Sequence, residues 1–91
     1  MAIEVQIPTI LRSYTDGAKA VEGSGATLRA VISDLESRYP GIEDRLVEDG
    51  RLRRFVNVYL NDEDVRFLDA VDTAVADGDV VTVLPAVAGG A

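Results

Sequence analysis

The chain is expected to fold as an α+β domain, a mixed sheet of four to five strands with one main helix packed on one face. Three observations carry that expectation. Apolar residues alternate with polar ones near the start, and a β-prone run returns near the end. Between them lies one apolar stripe with helical spacing. Short turn signals divide what remains. At 91 residues there is room for a single compact domain. It is expected to span residues 1–85, with 86–91 a flexible C-terminal tail ending Gly-Gly-Ala.

Ile3, Val5 and Ile7 fall on one side of an extended run, with Glu4 and Gln6 on the other, so residues 3–7 read as a half-buried strand. Pro8 ends it or puts it near an edge. Tyr14-Thr-Asp-Gly17 is a turn, and Ala18 to Glu22 pairs back as the second arm of a hairpin. Gly23-Ser-Gly25 interrupts the chain again. Thr27 then suits a helix N-cap. Leu28, Val31, Ile32, Leu35 and Tyr39 follow on one helical face, which packs on a sheet. Arg29, Asp34, Glu36 and Arg38 point elsewhere, and Pro40-Gly41 stops the helix.

Residues 42–54 are charged, with isolated apolar positions at Ile42, Leu46, Val47 and Leu52. They read as a short helical turn or surface loop. Within them Arg51-Leu-Arg-Arg54 reads as a solvated connection rather than an anion site. Phe55 to Leu60 is β-branched and aromatic, hence a strand. Asn61-Asp-Glu-Asp64 makes a tight turn, and Val65 to Leu68 returns as a short strand. Asn61–Asp64 is not a calcium loop. Counted from Asp62, the EF-hand's required Gly and Glu positions hold Phe67 and Thr73. Asp77-Gly-Asp79 turns into Val80-Val-Thr-Val-Leu84, a strongly β-prone strand, and Pro85 ends its pairing. If the first and last strands are parallel neighbours, the fold is a β-grasp.

Composition excludes much chemistry. Without Cys there is no disulfide, thiolate metal site or thiol nucleophile, and without His the commonest general base is missing. A self-contained enzyme of the usual kinds is therefore not expected; nor is a bound cofactor or metal. Sixteen acidic against nine basic residues give a net charge of −7. That argues against nucleic acid and against anionic membrane surfaces. No run reaches transmembrane length. The N-terminus lacks the basic and apolar regions of a signal peptide, so the expected compartment is the cytoplasm. No heptad or spare apolar stripe remains after the core is assigned, so the free protein is expected to be a monomer.

The remaining feature is Gly89-Gly90, next to the last residue of an uncharged tail. Glycine passes through channels too narrow for a Cβ, and a terminal glycine carboxylate is open to attack. Composition alone favours a frayed end. Taken with the β-β-α-β order, Asp77-Gly-Asp-Val-Val-Thr-Val-Leu-Pro85 and Ala86-Val-Ala-Gly-Gly90 resemble the ubiquitin-like sulfur carriers. That family includes the molybdopterin synthase small subunit and the thiamine-pathway carrier. Ile7-Pro-Thr-Ile-Leu-Arg12, the helix from Thr27 to Tyr39, residues 55–67 and Leu84-Pro-Ala-Val-Ala-Gly-Gly90 look most like its actinobacterial branch serving cysteine biosynthesis.

The resemblance implies a β-grasp fold and a carrier that is a cosubstrate rather than an enzyme. Its Gly90 carboxylate would be adenylated with ATP by a ubiquitin-activating-type adenylyltransferase and sulfurtransferase, then converted to a thiocarboxylate. The sulfur would pass to a sulfur-accepting synthase, cysteine synthase-like or other. Leu84, Pro85, Val87, Ala88 and Gly89 would contact these partners. Two departures stand out. The chain runs on to Ala91, so a C-terminal-trimming peptidase is expected to remove that residue first. Ala86 stands where the molybdopterin branch usually has a second Pro. Alternation puts Val81 and Val83 toward the helix and Leu84 on the open sheet face, where it either docks on a partner or covers the sheet edge. Three other functions stay open on the same fold: the molybdopterin synthase small subunit, a ubiquitin-like modifier, and a non-activated interaction module.

Overall fold

A computed structural model describes residues 2–54 and 56–85. Its strands are β1 (Ile3–Gln6), β2 (Ala20–Gly23), β3 (Val47–Glu48), β4 (Arg51–Leu52), β5 (Val56–Leu60), β6 (Glu63–Asp64) and β7 (Val80–Pro85). The helices are α1 (Leu28–Arg38) and α2 (Ile42–Leu46), and three 3₁₀ segments lie at Thr9–Thr15, Val65–Phe67 and Ala70–Asp72. Five strands form one mixed sheet in the order β2-β1-β7-β5-β6. The first and last strands are parallel neighbours at its centre, with Glu4, Val5 and Gln6 opposite Val80, Val81 and Thr82. All other pairs in that sheet are antiparallel. This is the β-grasp arrangement, with α1 packed across one face.

Local chemistry accounts for the helix. Thr27 is extended, and its hydroxyl accepts the Ala30 N–H at 3.2 Å, the N-cap bond a free helix start requires. Leu28, Val31, Ile32 and Leu35 are buried and meet Val5, Val58, Val81 and Val83 of the sheet. The alternation expected for β7 holds, because Val81 and Val83 are buried while Leu84 is exposed.

Of the two readings open for residues 42–54, the short helical turn holds over 42–46, and it carries core: Ile42 and Leu46, four apart, are fully buried against α1. Other local expectations need adjustment. The returning strand is only Glu63–Asp64. Val65–Phe67 is a 3₁₀ turn instead, started by the Asp64 side chain accepting the Arg66 N–H at 2.9 Å. The last strand takes in one residue more than expected, with Pro85, its final residue, lying opposite Val56 in the β5–β7 register. Arg51–Arg54 is connective but not merely loop, as Arg51 and Leu52 form one arm of the small β3–β4 hairpin.

Candidate functional site

The last β1 pairing to β7 is Gln6 with Thr82, so Leu84 and Pro85 run beyond the end of their parallel neighbour. On the other side they remain paired with Asn57 and Val56 of β5. Past β1, the chain turns at Pro8 into the 3₁₀ segment, which carries Ile10 alongside the end of β7. Ile10 is 67% exposed and Leu84 45%. Two open hollows, about 600 and 500 Å³, flank this end of β7, and both are lined by Pro8, Ile10, Leu84 and Pro85. The exit of the tail is thus an apolar ridge between two recesses.

Long-range contacts hold this end together. Gly41, at φ +99°, opens α2 against the Tyr14 ring; a Cβ there would meet the ring at 2.9 Å. Arg45 on α2 stacks on Tyr14, its guanidinium carbon 5.6 Å from the ring centroid, and its Nε donates to the Tyr14 hydroxyl at 2.7 Å. The Glu36 carboxylate accepts the Gly41 and Glu43 N–H groups at 3.0 and 2.9 Å. Those bonds, Gly41's foremost, hold its pKa below the usual carboxylate value. From the far side Arg66 donates to Asn57 Oδ1 at 2.5 Å and to the Val56 carbonyl at 2.6 Å. Those two residues are the partners of Leu84 and Pro85.

Of the residues expected at the site, Leu84 and Pro85 are placed at the exit. Val87, Ala88, Gly89, Gly90 and Ala91 lie outside the described residues, as does Phe55. Ile10, Arg45 and Arg66 were not anticipated. Ile10 alone had a legible signal, an apolar residue in a segment with no strand or helix period. Among the described residues no group of His, Cys, Asp and Glu is placed to hold a metal. No helix there is long and apolar enough to cross a membrane.

A small ubiquitin-like domain with an exposed apolar end to its last strand, followed in sequence by Gly-Gly, defines the class, the β-grasp proteins. Comparison narrows it. Residues 5–90 match the ThiS family. The chain is 61% identical over 93 residues to the sulfur carrier protein CysO of Mycobacterium tuberculosis, covering 99% of this chain and all of that one. It also resembles a chain of the crystal structure of the Amycolatopsis orientalis BexX/CysO complex, with a TM-score of 0.93 and 57% identity over 98% of this chain and all of the other. A 65-residue stretch is 48% identical to small archaeal modifier protein 3 of Haloferax volcanii, 71% of either chain. The protein belongs to the ThiS family.

Proposed function

We propose that the protein is a sulfur carrier whose reactive group is the Gly90 carboxylate, acting in the cytoplasm and serving cysteine biosynthesis first among the sulfur-requiring pathways. The observation that carries this reading is the family match, which runs through to Gly90 and leaves Ala91 outside it. Hydrolysis after Gly90 by a peptidase frees the carboxylate. One carboxylate oxygen attacks the α-phosphorus of ATP on an activating enzyme, with pyrophosphate leaving, and the acyl adenylate forms. Sulfide then displaces AMP and leaves a thiocarboxylate. Activation is needed because a carboxylate is a poor acyl electrophile. The absence of Cys and His is consistent with this division of labour, since the catalytic groups belong to the partners. The complex of a CysO with BexX supports a carrier that works docked on a partner protein.

The test is the intact mass of the protein isolated natively, without a C-terminal tag. The expected mass lacks Ala91 and has one oxygen replaced by sulfur. A mass that keeps Ala91 and oxygen, unchanged by the host's peptidase, activating enzyme, sulfide and ATP, overturns the proposal. The resemblance to an archaeal modifier favours a second reading, conjugation of Gly90 to target lysines. Covalent ladders on cell proteins would establish that one instead.

A further inference from the structure

Strand β2 is an edge of the sheet, and half of its main-chain groups have no strand beside them. The Ile7 N–H donates to the Lys19 carbonyl at 2.8 Å, so Ile7 and Lys19 form a hydrogen-bonded pair, which the register repeats at Val5 with Val21 and Ile3 with Gly23. The main-chain groups of Ala20, Glu22 and Ser24 therefore point away from β1. Helix α1 reaches two of them. The Ser24 N–H donates to Asp34 Oδ2 at 2.9 Å, and Arg38 Nη2 donates to the Glu22 carbonyl at 2.6 Å. The same Nη2 donates to the same Oδ2 at 2.7 Å, closing the circuit. Of the three ion pairs among the described residues, this one alone has both members bonded to the main chain of a sheet edge. Gly23 permits the approach, since a Cβ there would meet Val31 Cγ1 of α1 at 2.8 Å. The Tyr39 ring steadies Arg38, its centroid 5.8 Å from the guanidinium carbon. The other edge needs no such cover, because β6 is only Glu63–Asp64, too short to template a strand.

We infer that the Asp34–Arg38 pair is a plug on the β2 edge, and that the occupant it keeps out is the β2 strand of a second copy of this chain. A neighbouring strand would offer this edge alternating acceptors and donors. The carboxylate and the guanidinium offer one of each, at Ser24 and at Glu22. Both bonds are charge-assisted and therefore of the stronger kind, so an incoming strand must break them before it gains neutral ones. Open edges pair readily with one another, and a strand laid antiparallel on its own copy makes a closed, self-complementary contact about a two-fold axis. Pairing Ala20 with Glu22 of the second copy staggers the two Glu22 carboxylates instead of setting them opposite each other. The monomer expected from the sequence, for want of a spare apolar stripe, thereby has a main-chain cause as well. The inference concerns the folded domain and is independent of the sulfur chemistry.

Sedimentation velocity of the full chain over a range of concentrations decides it, at moderate salt so that the net charge of −7 is screened. The unaltered chain is expected to sediment as a monomer throughout. The double variant Asp34→Ala with Arg38→Ala is expected to form a discrete dimer, its self-association at least roughly ten-fold tighter. Hydrogen exchange at the Ala20 and Glu22 amides of that variant should slow as its concentration rises. Adding Glu22→Pro removes an outward N–H at a position where an edge tolerates proline. It should return the double variant to a monomer without restoring its melting temperature, a separation that lost stability alone does not produce. If the double variant does not fold, Arg38→Ala by itself frees the Glu22 carbonyl and should shift association in the same direction, by less. A folded variant that stays monomeric overturns the inference. So does aggregation that Glu22→Pro leaves unchanged, or an unaltered chain already paired through the Ala20 and Glu22 amides.

Discussion

The two ends of the central strand pair are built on different principles. At the start of β7, polar groups satisfy one another. Asp79 accepts from Asn61 Nδ2 and the Ala76 N–H, Asn61 Oδ1 accepts the Val80 N–H, and Asp77 accepts the Ala2 N–H. The neighbouring Ile3 is fully buried. At the end of β7, apolar side chains face solvent and guanidinium groups sit on neutral oxygens. A surface that leaves much of Ile10 and Leu84 in water gains little in folding from them. The first end is closed by its own hydrogen bonds and core, and the second leaves apolar side chains and cations at the surface.

The largest expected effect breaks the first end. Ile3→Ala empties a fully buried position on a central strand and is expected to cost about 2–5 kcal/mol in urea or thermal unfolding. For a domain of this size that is a large share of the total stability. A loss under about 1 kcal/mol would mean that the turn end is not where the stability lies.

A smaller effect sharpens the same point through pH. The Asn61 side chain, and then the Ala76 N–H, hold the Asp79 carboxyl below its ordinary value of 3.8. Folding therefore favours the ionised form. The stability this adds is full above the unfolded group's pKa and is lost as pH falls through the lower folded value. Melting temperature should drop between pH 5 and pH 2. Asp79→Asn should lower it at pH 7 and approach the unaltered protein as the pH falls, since protonation already removes what the substitution removes. A melting difference that grows on acidification would contradict this account. Glu36, held by the Gly41 and Glu43 N–H groups, shifts in the same sense, so the double variant should flatten the acid limb further.

Local signals explain what was legible and what was not. Thr27, the Leu28–Leu35 stripe, β1 and β7 each declare themselves within one stretch of chain, by a cap or by a period of 3.6 or 2. Helix α2 is legible only as a helical turn or a loop, because two apolar residues flanking three charged ones make no sustained period until α1 is seen beside them. Val65–Phe67 carries β-prone residues, but the Asp64 side chain captures the backbone first. The site divides the same way. Leu84 and Pro85 follow from the strand's alternation, whereas Arg45 reaches Tyr14 across 31 residues, and no sequence spacing announces that pairing. The Arg-rich stretch at 51–54 lacked a visible partner because its structural neighbours, Asp44 and the end of β7, lie in other segments.

The smallest expected change in stability tests the second end most directly. Ile10→Ser removes an aliphatic side chain that is already two-thirds in solvent, so unfolding free energy should move by no more than about 0.5 kcal/mol. Leu84→Ser, on the half-exposed face of β7, should cost somewhat more but far less than Ile3→Ala. If the exit is where a partner docks, these two variants should nevertheless lose affinity for the activating enzyme proposed above, while Ile3→Ala, wherever enough of it remains folded, should bind it normally. Stability and binding would then be separated along one sheet, some substitutions touching only the first and others only the second. An Ile10→Ser protein that melts as early as Ile3→Ala would show that the ridge is part of the core, and the contrast between the two ends would collapse.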